Sequence, residues 1–216
     1  MDRAHLLTDL LDSGVIAVVR LSVWQRLLPV TEALAEGGIR FIEFAMTTPH
    51  ALEVLAQAGE ALRGEAVLGA GTVLDPDTAR AAVLAGAQFV IAPNVNPEVI
   101  ALSRRYGVLV IPGALTPTEI LSAWQLGADL VKVFPVDTLG PGYIRALKAP
   151  LPQVSLVPTG GVSIDNAADY IRAGAAAVCV GSHLVNERVV AQGDWRELAA
   201  AARRLVTAVT RARAKG

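Results

Sequence analysis

Apolar positions fall into short runs separated by longer stretches rich in alanine and leucine, and one unit recurs along the chain. In each copy a helix-like stretch ends at glycine and a short apolar run follows. The copies are Gly38-Ile39-Arg40-Phe41-Ile42-Glu43-Phe44, Gly86-Ala87-Gln88-Phe89-Val90-Ile91-Ala92, Gly127-Ala128-Asp129-Leu130-Val131-Lys132-Val133 and Gly174-Ala175-Ala176-Ala177-Val178-Cys179-Val180. Glycine accepts the left-handed conformation that closes a helix, and an apolar run of this length reads as a strand buried on both faces. Further strand-like runs at 15–20, 66–72, 108–112 and 154–159 lie between the copies and bring the expected total to eight.

The intervening segments read as helices at 24–36, 49–60, 76–85, 97–106, 117–126, 143–147 and 165–173, with a leading helix at 3–11 and a last one at 194–211. Several begin with a polar cap and then proline: Thr48-Pro49, Asp75-Pro76, Asn96-Pro97 and Thr116-Pro117. Proline is tolerated in the first turn, where its missing N–H would be unpaired anyway. Strict strand–helix alternation implies a parallel sheet. Eight units in about 200 residues match the compact end of one architecture. The expected fold is therefore α/β, a single (β/α)8 TIM barrel with an extra N-terminal helix, and residues 1–216 read as one domain. An open doubly wound sheet is the structural alternative. Against it, no Gly-x-Gly-x-x-Gly turn follows the first strand, where dinucleotide-binding folds carry one.

Composition narrows the class of function. The 216 residues are 53% hydrophobic and 18% charged, which suits a large core and excludes a disordered chain. A net charge of −1 gives no global basic field toward nucleic acid or an anionic membrane. Cys179 is the only cysteine, so no internal disulfide can form and a reducing cytoplasm is the expected compartment. The start, Met1-Asp2-Arg3-Ala4-His5-Leu6, has no signal-peptide pattern. The apolar runs fall short of the roughly 20 residues of a membrane helix, so the mean hydropathy of +0.46 reads as a buried core. His5, His50 and His183 lack ligand spacing, and no metal site is expected. The basic stretch from Arg203 to Lys215 reads as a solvated helix face, and Cys179 as a small core residue.

Two charges stand where such a barrel should be apolar. Aligned on their glycines, the four copies place Glu43, Ile91, Lys132 and Cys179 at one position. By strand count these belong to strands two, four, six and eight, and barrels of this kind fill their interior in layers of four drawn from alternate strands. Glu43 and Lys132 are therefore expected at one depth, pointing inward. One reading is a buried structural ion pair. The other is chemical. An amine in apolar surroundings loses its proton more readily than one in water, and a free amine attacks a ketone to form an imine. A carboxylate nearby can then take and return protons.

Anchors for a substrate are visible at the same ends of the strands. Pro158-Thr159-Gly160-Gly161 and Val180-Gly181-Ser182 follow the last two strands, where many barrels bind phosphate through backbone N–H groups; either can also be a simple turn. Arg20 ends strand one and suits a carboxylate, or is an ordinary solvated arginine. Thr72, in Gly69-Ala70-Gly71-Thr72, ends strand three and reads otherwise as a turn residue.

With these motifs the chain resembles the 2-keto-3-deoxy-6-phosphogluconate aldolase family, which includes 6-phosphogalactonate aldolases and 4-hydroxy-2-oxoglutarate aldolases. The resemblance covers about 15–185. It is carried by Gly37-Gly38-Ile39-Arg40-Phe41-Ile42-Glu43, Gly69-Ala70-Gly71-Thr72-Val73-Leu74, Pro112-Gly113, Val131-Lys132-Val133-Phe134-Pro135 and Pro158-Thr159-Gly160-Gly161-Val162. It implies a class I retro-aldol reaction with Lys132 as the Schiff-base lysine and Glu43 as the general acid and base. It further implies Thr72 and Arg20 on the pyruvate-derived half, Gly161, Gly181 and Ser182 on phosphate, and Phe134 and Pro93 lining the pocket. No metal or organic cofactor is implied, and a homotrimer is the assembly that the resemblance implies. The expected substrate is the phosphogluconate-derived keto acid, cleaved to pyruvate and glyceraldehyde 3-phosphate, with 4-hydroxy-2-oxoglutarate, cleaved to pyruvate and glyoxylate, as a second.

One position departs from the family. Many gluconate-type members carry an arginine four residues after the glutamate, and this chain has Thr47. That shifts the carboxylate role toward Arg20. The segment 140–148 looks galactonate-like, whereas Thr159 looks gluconate-like, with a hydroxyl that can sort the C4 epimers. A sugar-phosphate isomerase or epimerase using Glu43 as base, and a non-catalytic oligomeric scaffold, are the competing functions.

Overall fold

The computed structural model describes residues 2–214; Met1 of the leader reading and Lys215 of the basic-tail reading lie outside the described residues. The chain opens with α1 (Arg3–Ser13), β1 (Val15–Val19), a short 3₁₀ turn at Trp24–Arg26, α2 (Leu27–Glu36), β2 (Phe41–Ala45), α3 (Ala51–Ala61) and β3 (Val67–Gly71). It continues with α4 (Pro76–Leu84), β4 (Phe89–Ile91), α5 (Pro97–Arg105), β5 (Leu109–Ile111), β6 (Gly113–Ala114), α6 (Pro117–Gln125) and β7 (Val131–Val133). It closes with α7 (Gly140–Lys148), β8 (Leu156–Pro158), α8 (Ala167–Arg172), β9 (Val178–Val180), α9 (Glu187–Gln192) and α10 (Trp195–Arg213).

The repeated glycine has one physical role. Gly38, Gly86, Gly127 and Gly174 all take positive φ, at 91°, 99°, 92° and 100°. The residue after each donates back across the helix end, Ile39 to Leu34, Ala87 to Ala82, Ala128 to Ala123 and Ala175 to Tyr170. This double-bonded stop satisfies the last carbonyls of a helix and turns the chain into the next strand. At the other ends, Asp75, Asn96 and Thr116 cap their helices through side-chain oxygens, Thr116 in a reciprocal box with Glu119. Thr48 is a correction. Helix α3 begins at Ala51 after His50 at φ 56°, and the Thr48 hydroxyl instead accepts the Leu21 N–H at 3.3 Å. That bond ties the loop after β2 to the loop after β1. The expected helix at 24–36 begins as a 3₁₀ turn, the one at 143–147 extends over Gly140–Lys148, and α9 was not foreseen.

The strands form two parallel sheets, one of six in the order β5-β4-β3-β2-β1-β9 and one of three in the order β6-β7-β8. The fold is α/β with a curled half-barrel sheet, divided where a continuous eight-stranded one was expected. The divisions have a chemical cause, because proline has no N–H to place in a ladder. Pro112 separates β5 from β6. Pro158 ends β8, beyond which a single bridge, Thr159 to Cys179, connects it with β9.

Side chains alternate across the sheet and separate two layers of core. Ile42, Phe44, Leu68, Val90, Val131 and Leu156 pack against the helices. Ile16, Phe41, Phe89, Ile91, Leu109, Ile111, Leu130, Val157 and Cys179 fill the inner face, closed below by Leu6 and Leu10 of α1. An ion pair, Arg3 to Asp129 at 2.6 Å, fastens α1 there, while Asp129 also accepts the Val110 N–H at 2.8 Å. Among the described residues no helix is long and apolar enough to cross a membrane.

Candidate active site

Above the inner core a cavity of about 450 Å³ opens at the C-terminal ends of the strands. Glu43 enters it from the middle of β2 and Lys132 from the middle of β7, both buried at 1% and 7% exposure. Ile91 and Cys179, the other members of the expected layer, lie in the inner core. The cavity wall also holds Arg20, Thr72, Pro93, Phe134, Thr159, Gly160, Gly161, Gly181 and Ser182, so every site residue singled out in the sequence lines one space.

The two charges face that space without pairing. Among the described residues Lys132 is in none of the ion pairs, and Glu43 Oε2 is buried with no hydrogen-bond partner. The structural ion pair considered from sequence is therefore not formed. Lys132 Nζ lies 5.0 Å from the centre of the Phe134 ring, a cation–π distance. Burial pushes the Glu43 carboxyl above its ordinary range, and the charges of Lys132 and Arg20 pull it only partly back. The Cys179 thiol is pushed up to about 12, by burial first and then by the Glu43 charge. It stays protonated at neutral pH and is no nucleophile.

Arg20 and Thr72 meet at the rim, where an Arg20 guanidinium N–H donates to the Thr72 hydroxyl at 3.2 Å. Thr72 takes φ 60°. A β-branched residue rarely adopts that conformation, and such strain concentrates where a side chain must be aimed. Opposite them, Gly160 and Gly161 turn at φ 90° and 70°. A Cβ on Gly161 would lie 2.7 Å from the Asp137 backbone, so the turn has room for glycine alone. Asn166 braces it, donating to the Gly161 carbonyl at 2.9 Å and accepting the Ser163 N–H at 2.8 Å.

A family model described as "KDPG and KHG aldolase" matches residues 8–201. The chain belongs to the KDPG and KHG aldolase family. It is 39% identical over 187 residues to the 2-dehydro-3-deoxy-phosphogluconate aldolase of Treponema pallidum (strain Nichols), covering 86% of this chain and 89% of the relative. It is 36% identical over 171 residues to the 2-dehydro-3-deoxy-6-phosphogalactonate aldolase of Escherichia coli (strain K12), covering 79% and 83%. The crystal structure of KDPG aldolase from Legionella pneumophila, with pyruvate captured at low pH as a covalent carbinolamine intermediate, superposes with a TM-score of 0.85 at 28% identity, covering 95% of this chain and 98% of that one.

Thr47, where the resemblance led to expect arginine, is exposed and is not part of the cavity wall, which takes its guanidinium from Arg20. Val18, Val185 and Glu187 line the cavity without having been foreseen; so do Val162, quoted only within a motif, and His183, which follows the Gly181-Ser182 turn and was given no role. Glu187 belongs to α9, a helix too short to show a period. Gly69, Gly71 and Gly113 were quoted only as parts of motifs. A Cβ on Gly113 would lie 2.4 Å from the Pro93 carbonyl oxygen, so this glycine lets the bend after β4 that carries Pro93 approach.

Proposed function

We propose that this chain is a class I aldolase that cleaves 2-keto-3-deoxy-6-phosphogluconate to pyruvate and glyceraldehyde 3-phosphate through an imine on Lys132, and that it also takes 4-hydroxy-2-oxoglutarate. The observation that carries the reading is the pair of buried, mutually unpaired charges, Lys132 and Glu43, facing one cavity. An ammonium locked to a carboxylate is no nucleophile, whereas a lysine free of such a lock can attack a ketone. The Lys132 amine adds to C2 of the keto acid, and loss of water gives the protonated imine. Glu43 takes the proton of the C4 hydroxyl as the C3–C4 bond breaks and its electron pair enters the imine system. The same carboxyl then returns a proton to C3 of the enamine, and water releases pyruvate. A group poised above the ordinary carboxylate range is suited to both transfers.

Arg20 and the Thr72 hydroxyl hold the carboxylate of the pyruvate half. Thr159, the N–H groups of Gly160, Gly161 and Gly181, and Ser182 hold the phosphate end. Pro93 and Phe134 form the apolar walls. The two sheets are read as arcs of one closed eight-stranded barrel: β5 and β6 count as one strand broken at Pro112, and the Thr159–Cys179 bridge supports the closing seam. One catalytic domain, a homotrimer and a cytoplasmic setting complete the proposal.

Borohydride reduction with pyruvate, read by peptide mass spectrometry, tests it. A pyruvate-sized adduct is expected on Lys132 and none in Lys132→Ala; trapping that survives in Lys132→Ala refutes the assignment. A cleavage assay with the gluconate and galactonate epimers decides between the two sugar acids.

A further inference from the structure

We propose that Gly71 is the positioning residue for Glu43, its missing side chain being the space that the carboxylate occupies. This rests on the reading of Glu43 as the group that moves the proton. A Cβ built on Gly71 would lie 2.6 Å from Cδ and Oε1 of Glu43 and 2.8 Å from Oε2. Atoms do not approach so closely, so one side must give way. The backbone of Gly71 is held in place, because it pairs in register opposite Ala45 on β2 and its carbonyl accepts the Met46 N–H at 2.8 Å. The part that can move is the end of the Glu43 side chain.

Two inward positions of β3 lack side chains, and a neighbour fills each. A Cβ on Gly69 would lie 2.5 Å from the Phe89 ring, which occupies that space as core. One layer up, at Gly71, the occupant is a carboxylate with an orphaned oxygen. Gly71 is absent from the positive-φ positions, so alanine suits its backbone, and the three atoms nearest to the new methyl all belong to the Glu43 carboxylate. Thr72, next along the chain, carries the strain that aims its hydroxyl at Arg20. Two adjacent residues thus set the proton-transfer group and the anchor, and β3 fixes their spacing.

The test separates imine formation from proton transfer. Forming the pyruvate imine bonds Lys132 Nζ to C2 and releases water, which borohydride trapping reads. Exchange of the C3 protons in D₂O, read by NMR, needs Glu43: the carboxylate takes a C3 proton, the C–H pair becomes the C2–C3 double bond, the imine pair returns to nitrogen, and the reverse delivers a deuteron. Gly71→Ala is expected to trap pyruvate within about two-fold of the unaltered protein and to exchange and cleave about 100-fold more slowly, the scale of losing a placed acid–base group. Glu43→Asp, one methylene shorter, leaves room for the new methyl. The double variant is therefore expected to exchange faster than Gly71→Ala alone. Equal exchange in Gly71→Ala, or losses that simply multiply in the double variant, overturns the assignment. If Gly71→Ala does not fold, the same substitution must fold in the Glu43→Asp background, and failure in both overturns it too. Unaltered protein that traps no pyruvate sinks the aldolase reading and this assignment together. Unaltered protein that traps and exchanges, beside a Gly71→Ala variant that matches it in both, sinks this assignment alone.

Discussion

Replacing Glu43 with glutamine keeps the shape of the side chain and removes its charge, and the consequence for stability has a definite sign. Burial holds the folded-state carboxyl above its ordinary value of 4.5, with only partial relief from Lys132 and Arg20. A group whose folded pKa is raised contributes stability that is fully present below the unfolded value and is lost as pH rises through the folded value. The wild-type chain is therefore penalised for keeping Glu43 ionised, and the penalty starts to grow above pH 4.5. One proton sets its steepness, at most about 1.4 kcal/mol per pH unit. Its size follows from the orphaned Oε2, since a buried acceptor without a partner costs about 1–3 kcal/mol and more when charged.

Glutamine imitates the protonated form, so Glu43→Gln is expected to match the wild type near pH 4.5. By neutral pH it is expected to exceed the wild type by about 1–3 kcal/mol. Urea denaturation at a series of pH values checks this. With a slope of about 2 kcal/mol per molar urea, the midpoints should separate by about 1 M at neutral pH and converge in acid. Turnover should fall at least about 100-fold in the same variant. A stability gap that does not change with pH, or a wild type more stable throughout, would falsify the claim that the carboxylate is buried without a partner.

Three further substitutions probe the frame around that pair. Thr72→Gly relieves the strain at φ 60°; a melting curve should show a gain of up to about 1 kcal/mol, while KM for the keto acid rises because Arg20 loses its hydroxyl partner. In Gly161→Ala the new methyl meets the Asp137 backbone at 2.7 Å; steady-state assays should show KM rising for the phosphorylated substrate far more than for 4-hydroxy-2-oxoglutarate, and an equal rise for both would remove the turn from the phosphate site. Arg213→Ala removes a half-buried guanidinium that donates to the carbonyls of Leu11, Asp12 and Ala176; calorimetry should show Tm falling by about 5 °C with kcat unchanged, since charged hydrogen bonds of this kind contribute about 1.5–3 kcal/mol.

What was legible in the sequence is what periodicity and local chemistry encode. The glycines at 38, 86, 127 and 174 announced helix stops because only a left-handed residue closes a helix in that way. Counting five positions on from each then put Glu43 and Lys132 on the inner face, since a strand alternates with period two. The illegible features depend on partners remote in sequence. Thr48 stands before a proline like the true caps, but a nearby Leu21 N–H claims its hydroxyl. Pro112 and Pro158 look like ordinary strand residues until the ladder they interrupt is known. Gly71 leaves no positive mark at all, because its contribution is a space, and what fills it comes from β2.

The absence of a Lys132–Glu43 contact is the least legible feature and the most consequential. A salt bridge between them would offset part of the cost of burying both charges, and flexible side chains at one depth would ordinarily find each other. Their separation is maintained by backbone: Glu43 stands on the six-stranded sheet and Lys132 on the three-stranded one, Gly71 gives the carboxylate a seat on the side of β3, and the Phe134 ring centre lies 5.0 Å from Lys132 Nζ. A keto acid entering between them would meet a lysine nitrogen locked to no carboxylate and a carboxylate oxygen with no hydrogen-bond partner. On the proposed mechanism the orphaned oxygen that lowers folding stability is also the one that takes the proton, so any substitution that gives it a partner should raise stability and lower turnover together.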